Sequence, residues 1–154
     1  MPFMRIALGA DHAGVALKEE IKALLDERGE EYTDFGTSSR DPVDYPDYAI
    51  KVAHEVASGA FDRGLLFCGS GIGMAIAANK VPGIRAAPVV DEVSTRLSRE
   101  HNDANVLSLG ERLTPPDKAR RFVEVFLDTP FAGGRHERRL AIIAELESHA
   151  SHIE

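Results

Sequence analysis

Short apolar runs alternate along this chain with longer stretches in which apolar residues recur every three or four positions. Arg5–Gly9 (RIALG) reads as a buried strand, and Leu17, Ile21, Leu24 and Leu25 then fall on one face of a helix. Gly29 follows that face, a residue suited to the left-handed turn that closes a helix. Glu31–Asp34 predicts a second short strand. From Thr37 to Asp47, serines, aspartates and two prolines predict a loop, followed by a helix from about Asp47 to Ser58. Gly64–Cys68 (GLLFC) predicts a third strand, Gly69–Gly73 a tight turn, and Met74–Lys80 a helix that Pro82-Gly83 ends. Arg85–Val90, Glu92–Glu100 and Asn105–Leu109 predict strand, helix and strand. Pro115 and Pro116 open a helix reaching about Leu127, where a missing N–H costs little. Beyond Thr129-Pro130 and Gly133-Gly134 a last helix runs from about Arg135 to His149.

Strands alternating with amphipathic helices predict a parallel sheet. The expected fold is α/β, a Rossmann-like three-layer sandwich with a five-stranded parallel sheet and an extra C-terminal helix. One domain is expected over residues 1–154, with no repeat or linker. Ligands of such sheets bind outside the carboxyl ends of the strands. Asp11-His12, Cys68-Gly69-Ser70, Asp91 and Arg112 all follow predicted strands and so share that rim.

Composition narrows the partners. Of 154 residues, 44% are hydrophobic, and 18 basic against 25 acidic side chains leave a net charge of −7. That balance argues against a nucleic-acid binder, which needs a basic footprint, while leaving room for a small basic pocket. Apolar runs are far shorter than a membrane span. One cysteine excludes an intrachain disulfide, and Met1–Arg5 lacks a signal-peptide pattern, so a reducing, cytoplasmic location is expected.

The richest chemistry lies at Cys68 and the turn Gly69-Ser70-Gly71-Ile72-Gly73. Glycines let backbone N–H groups approach an anion, and the following helix adds its N-terminal potential. A plain strand-to-helix turn would also use these glycines. A dinucleotide fingerprint is a third reading, with Asp91 as ribose-binding acid; the spacing is G-x-G-x-G, however, and the first strand-to-helix turn lacks such glycines. Donors at a helix N-terminus favour a thiolate, so Cys68 is a candidate base or nucleophile, although a lone cysteine also serves as inert packing.

Arg135 and Arg139 share one helix face a turn apart, and two guanidinium groups there suit a phosphate, or form a solvated basic face. Arg112 is placed to join them. His101-Asn102-Asp103 follows a crossover helix, which returns the chain to the amino edge of the sheet, far from its own Cys68. If both serve one site, His101 comes from a second subunit. Asp11-His12 suits helix capping or sugar and phosphate contacts, and Tyr45 a pocket wall. His136, His149 and His152 have no convincing metal-ligand spacing, and no metal site is expected.

Five ordered motifs then carry a resemblance across nearly the whole chain: GADHAG at Gly9–Gly14, DYP at Asp44–Pro46, and CGSGIGMAIAANKVPGIRA at Cys68–Ala86. SREHNDANVLSLGER at Ser98–Arg112 and GGRHERR at Gly133–Arg139 complete it. The sequence resembles the type B ribose-5-phosphate isomerases, whose relatives include allose-6-phosphate and galactose-6-phosphate isomerase subunits. The resemblance implies a homodimer, sometimes paired into a tetramer, with active sites at the subunit interface. It implies reversible aldose–ketose isomerisation of a phosphorylated sugar through a cis-enediolate, without cofactor or metal. On it, Cys68 is the base between C1 and C2, and His101 opens the furanose ring with Asp11 and Asn102 nearby. Ser70 and the amides of Gly69, Gly71, Ile72 and Gly73 line the anion hole; His12, Arg112, Arg135 and Arg139 meet the phosphate. Many relatives carry Thr where Ser70 stands, and one branch places a Glu base at the position of Met74; here the thioether cannot take a proton, leaving Cys68. Ribose 5-phosphate is the expected substrate, with tetrose or hexose phosphates as alternatives. A non-catalytic sugar-phosphate or nucleotide-binding module and a thiol hydrolase are the readings from other classes.

Overall fold

The computed structural model describes residues 4–150. Five strands and six helices alternate: β1 (Arg5–Ala10), α1 (Val15–Arg28), β2 (Glu31–Asp34), α2 (Tyr45–Ala57), β3 (Arg63–Cys68), α3 (Ile72–Ala78), β4 (Ala86–Pro88), α4 (Glu92–Glu100), β5 (Val106–Gly110), α5 (Pro116–Asp128) and α6 (Arg135–Ala150). The strands form one parallel sheet in the order β2-β1-β3-β5-β4. This is the expected three-layer α/β fold with an added C-terminal helix.

The period-two alternation of the strands sorts the core into two layers. Ile6, Leu8, Ala10, Leu65, Phe67, Leu107 and Leu109 face α1 and α5, packing on Leu17, Ile21, Leu25, Phe122 and Phe126. Ala7, Leu66, Cys68 and Val106 face the other way, onto Val52, Met74 and Ala78 of α2 and α3. Gly29 closes α1 in the left-handed conformation (φ 70°), as its position predicts.

Several boundaries differ from the sequence reading. The loop from Thr37 ends at Asp44, because Pro46 sits in the first turn of α2, where its missing N–H is harmless. Helix α3 starts at Ile72, so Ile72 and Gly73 are its first helical residues and not part of the turn. Strand β4 keeps only Ala86–Pro88 of the predicted Arg85–Val90. It is an edge strand, where proline is tolerated. The Asn79 side chain covers its outer edge, donating to the Ala86 carbonyl (2.9 Å) and accepting from the Ala86 amide (2.7 Å). The N-terminal Met1–Phe3 and His152 lie outside the described residues.

The sheet order also locates a crevice. The chain leaves β1 toward β2 on one side and leaves β3 toward β4 on the other, so their carboxyl ends diverge at a topological switch point. Among the described residues, no helix is long and apolar enough to cross a membrane.

Candidate active site

At that switch point lies a cleft of about 410 Å³ lined by Asp11, His12, Ala13, Tyr45, Cys68, Gly69, Ser70, Ile72, Gly73 and Arg112. Strand β3 delivers Cys68 to its floor. The residue lines the cleft and is 5% exposed, and it packs in the apolar layer under α2 and α3. The Gly71 N–H donates to Cys68 Sγ at 3.1 Å. Only a glycine fits there: Gly71 has φ +79°, and a Cβ would lie 3.0 Å from the Leu109 carbonyl carbon. The Ser108 hydroxyl donates to the Gly71 carbonyl at 2.6 Å and pins the turn to β5. Gly110 is equally constrained, since a Cβ would lie 2.5 Å from the Ser70 carbonyl carbon.

The other lining groups follow from local geometry. The Ser70 hydroxyl accepts from the Ile72 amide at 3.2 Å, so its own hydrogen is free to donate into the cleft. Arg112 lies over the backbone of Gly69, where a Cβ would meet Nη1 at 3.2 Å. The Tyr45 ring lies against Gly73, where a Cβ would fall 2.5 Å from it. His12 Nδ1 accepts from the Val43 amide at 3.1 Å, which assigns the neutral ring's proton to Nε2. Asp11 is buried and accepts from the Ala13 amide at 3.0 Å.

A second cleft, of about 400 Å³, is lined by His101, Asn102, Arg135, His136 and Arg139. The two clefts share no lining residue. His101 caps the end of α4, and its ring stacks on His136 at 4.2 Å between centroids, with 20° between planes. Desolvation, then His101, Arg135 and Arg139, push the His136 imidazole below its ordinary value.

The predicted site residues therefore divide. Cys68, Ser70, Asp11, His12, Tyr45, Gly69, Ile72, Gly73 and Arg112 line the first cleft; His101, Asn102, Arg135 and Arg139 line the second, and Gly71 serves the first through its bond to sulfur. The separation of His101 from Cys68 matches the topology argument. Two expected groupings are divided between the clefts of one chain. Arg112 joins Cys68 and not Arg135 and Arg139, because it follows β5 at the carboxyl rim, whereas α6 begins beside the end of α4. Asp11 stands in the Cys68 cleft and not beside His101 for the same reason. Asp91 Oδ1 accepts from the Ser94 amide at 2.6 Å as the cap of α4, a local structural role for the carboxylate that the dinucleotide reading gives to a ribose. That bond holds the Asp91 carboxyl below the usual range.

Sequence reasoning passed over two residues. The stack of His136 on His101 joins side chains 35 positions apart, which no local spacing reveals. Glu111 Oε1 accepts from the Leu17 amide at 2.9 Å, supplying α1 with the cap that Gly14 cannot. Among the described residues, no cluster of three or more His, Cys, Asp or Glu is placed to hold a metal ion.

Comparison with known proteins bears directly on this geometry. The Ribose/Galactose Isomerase family profile matches residues 6–143. The chain belongs to the ribose/galactose isomerase family. It is 48% identical to the ribose-5-phosphate isomerase B of Escherichia coli (strain K12), over 93% of this chain and 96% of that one. It is 39% identical to the D-erythrulose-4-phosphate isomerase of Pectobacterium atrosepticum, over 97% and 99%. Among solved structures, the ribose-5-phosphate isomerase B of Clostridium thermocellum superposes with a TM-score of 0.94 at 51% identity, covering 96% of this chain and 99% of that one. Membership of the ribose/galactose isomerase family makes the chain an isomerase, in place of a hydrolase or a non-catalytic binding module.

Proposed function

We propose that this chain interconverts ribose 5-phosphate and ribulose 5-phosphate, as a cytoplasmic homodimer whose active sites each join a Cys68 cleft to the His101 cleft of the other subunit. The observation that carries this reading is the buried Cys68 sulfur, met by the Gly71 amide at 3.1 Å in a cleft that also holds Arg112. A thiol beside preset amide donors is suited to act as a base.

In this mechanism the Cys68 thiolate takes the proton from C2 of the open-chain aldose and returns it to C1. The C1 carbonyl oxygen becomes the enediolate oxygen and takes up the proton of the C2 hydroxyl before C1 is reprotonated, which leaves the carbonyl at C2; the Ser70 hydroxyl and the amides at the head of α3 stabilise the enediolate charge, and a donor of this kind contributes roughly 3–4 kcal/mol. The Gly71 and Ile72 amides already serve the sulfur and the Ser70 oxygen. Gly73 is among the first donors of α3, which lack partners within the helix. His101 opens the furanose by moving a proton between the ring oxygen and the anomeric hydroxyl, with Asn102 beside it. His12, Arg112, Arg135 and Arg139 hold the phosphate, whose binding orients C1 and C2 against the sulfur.

The split of these residues between two clefts of one chain supports assembly. Ile72, Ile76, Val90, Val93 and Leu113 are all more than half exposed in the monomer, an apolar surface of the kind that subunits cover. The relative named for D-erythrulose 4-phosphate supports a shorter sugar phosphate as the second reading of the substrate.

A panel of phosphorylated aldoses and ketoses, assayed in deuterated water, tests the proposal. Ribose 5-phosphate should gain deuterium at C2 and yield ribulose 5-phosphate. The Cys68→Ala variant should lose about 10²–10⁴-fold in turnover while still binding substrate. Undiminished isomerisation by that variant would remove Cys68 from the role of base.

A further inference from the structure

Arg99 is only 3% exposed, and its guanidinium is tied to two elements at once. Nη1 donates to Asp103 Oδ1 at 2.8 Å and to the Ala104 carbonyl at 2.7 Å. Nε donates to the Thr129 carbonyl at 3.0 Å, and the group stands 6.0 Å from the centre of the Phe126 ring. The first two bonds close the segment 100–104 that presents His101 and Asn102. The third holds the start of the connector 129–134 that delivers Arg135, His136 and Arg139. Beside it, the Ala132 amide donates to the Glu100 carbonyl at 3.0 Å, joining the same two stretches.

Asp103 adds a reason for the clamp. It has φ +46°, a conformation that costs a non-glycine residue energy unless its surroundings enforce it. Arg99 holds its carboxylate from one side, and Arg85 Nη2 stands 3.6 Å from the other oxygen. Arg85 Nε also donates to its carbonyl at 2.9 Å. A planar fork with several fixed donors can span two elements in this way with less freedom than a lysine ammonium on its flexible stem.

We propose that Arg99 is a positioning residue. It locks the end of α4 to the connector before α6 and so holds His101 and Asn102 in register with Arg135, His136 and Arg139. The inference rests on reading that cleft as the ring-opening and phosphate-binding half of the isomerase site. Neither Arg99 nor Asp103 lines the cleft.

The test pairs a geometric readout with kinetics. The 4.2 Å stack of His101 on His136 predicts a ring-to-ring nuclear Overhauser effect in the full-length protein. Arg99→Met keeps an unbranched apolar stem and removes the fork. It should retain its circular dichroism spectrum, lose the ring-to-ring signal, raise KM for ribose 5-phosphate and lower kcat/KM by about 10- to 100-fold. Arg99→Lys should recover part of both. An Arg99→Met protein that keeps the signal, and whose KM and kcat per folded site equal those of the wild type, overturns the proposal. Should that variant not fold, Asp103→Asn, which loosens one arm of the clamp, carries the test: the same changes at smaller amplitude support it, and an unchanged signal with unchanged KM overturns it. The signal is read without substrate. A wild-type protein inactive on every sugar phosphate would therefore refute the reading of the cleft, while the signal would still show whether Arg99 holds the two rings together.

Discussion

Single residues in the β3–α3 turn combine several duties in few atoms. Gly71 takes a positive φ, donates its amide to Cys68 Sγ, and accepts at its carbonyl from the Ser108 hydroxyl. A Gly71→Ala substitution should lower the unfolding free energy by at least about 1–2 kcal/mol, the cost of a left-handed residue with a side chain. The Cβ would also press on Leu109, 3.0 Å away, so the amide must shift from the sulfur. A fall in kcat measured on the folded fraction, beyond the loss of stability seen in urea unfolding, would separate the two effects. Unchanged stability would mean that the turn adopts another conformation at no cost.

Between elements, the least expected contact is the fully buried Lys18 of α1. Its ammonium donates to Asp34 Oδ1 at 2.8 Å and to the Thr37 carbonyl, binding α1 to the end of β2 and to the loop that leads to Tyr45. Burial alone would raise the Asp34 carboxyl; the bonds from Lys18, the Gly36 amide and Lys22 outweigh it and hold the carboxyl below its ordinary value. The unfolded chain therefore binds a proton before the folded one as pH falls. Stability from this pair is complete above about pH 4 and is lost as pH drops through the folded value. Lys18→Met should cost less than the roughly 3–5 kcal/mol of a broken buried pair, because Lys22 remains 3.1 Å from Asp34 Oδ2. It should also flatten this acid-side loss. Urea midpoints between pH 7 and 2.5 provide the check: a wild-type slope retained in the variant would mean that Lys18 does not hold the carboxylate.

For the whole molecule, the central question is whether two clefts that share no residue in one chain make one site between two chains. Mixing Cys68→Ala and His101→Asn chains answers it. In a mixed dimer one site carries both substitutions and the other carries neither. Half of randomly re-formed dimers are mixed, so activity should return to about a quarter of wild type. Two inactive variants that stay inactive after mixing would place both residues in a single-chain site.

Periodicity made the layers legible, because burial of one face dictates the spacing of Leu17, Ile21, Leu24 and Leu25 and the apolar runs of β1, β3 and β5. The glycine turn at Cys68 was legible too, since backbone donors need positions without side chains. Element ends were less so: β4 keeps only Ala86–Pro88, and its outer edge is covered by the Asn79 side chain, a contact that hydrophobicity does not encode. Distance within the fold was the remaining gap. Residue order alone is enough to name the groups able to carry the chemistry and the end of the sheet that offers them. It does not say that His136 stacks on His101, or that the Arg99 guanidinium reaches the Thr129 carbonyl; those pairings exist only in the folded chain. They follow from how the helices cross the sheet, and that packing is set by all the layers together.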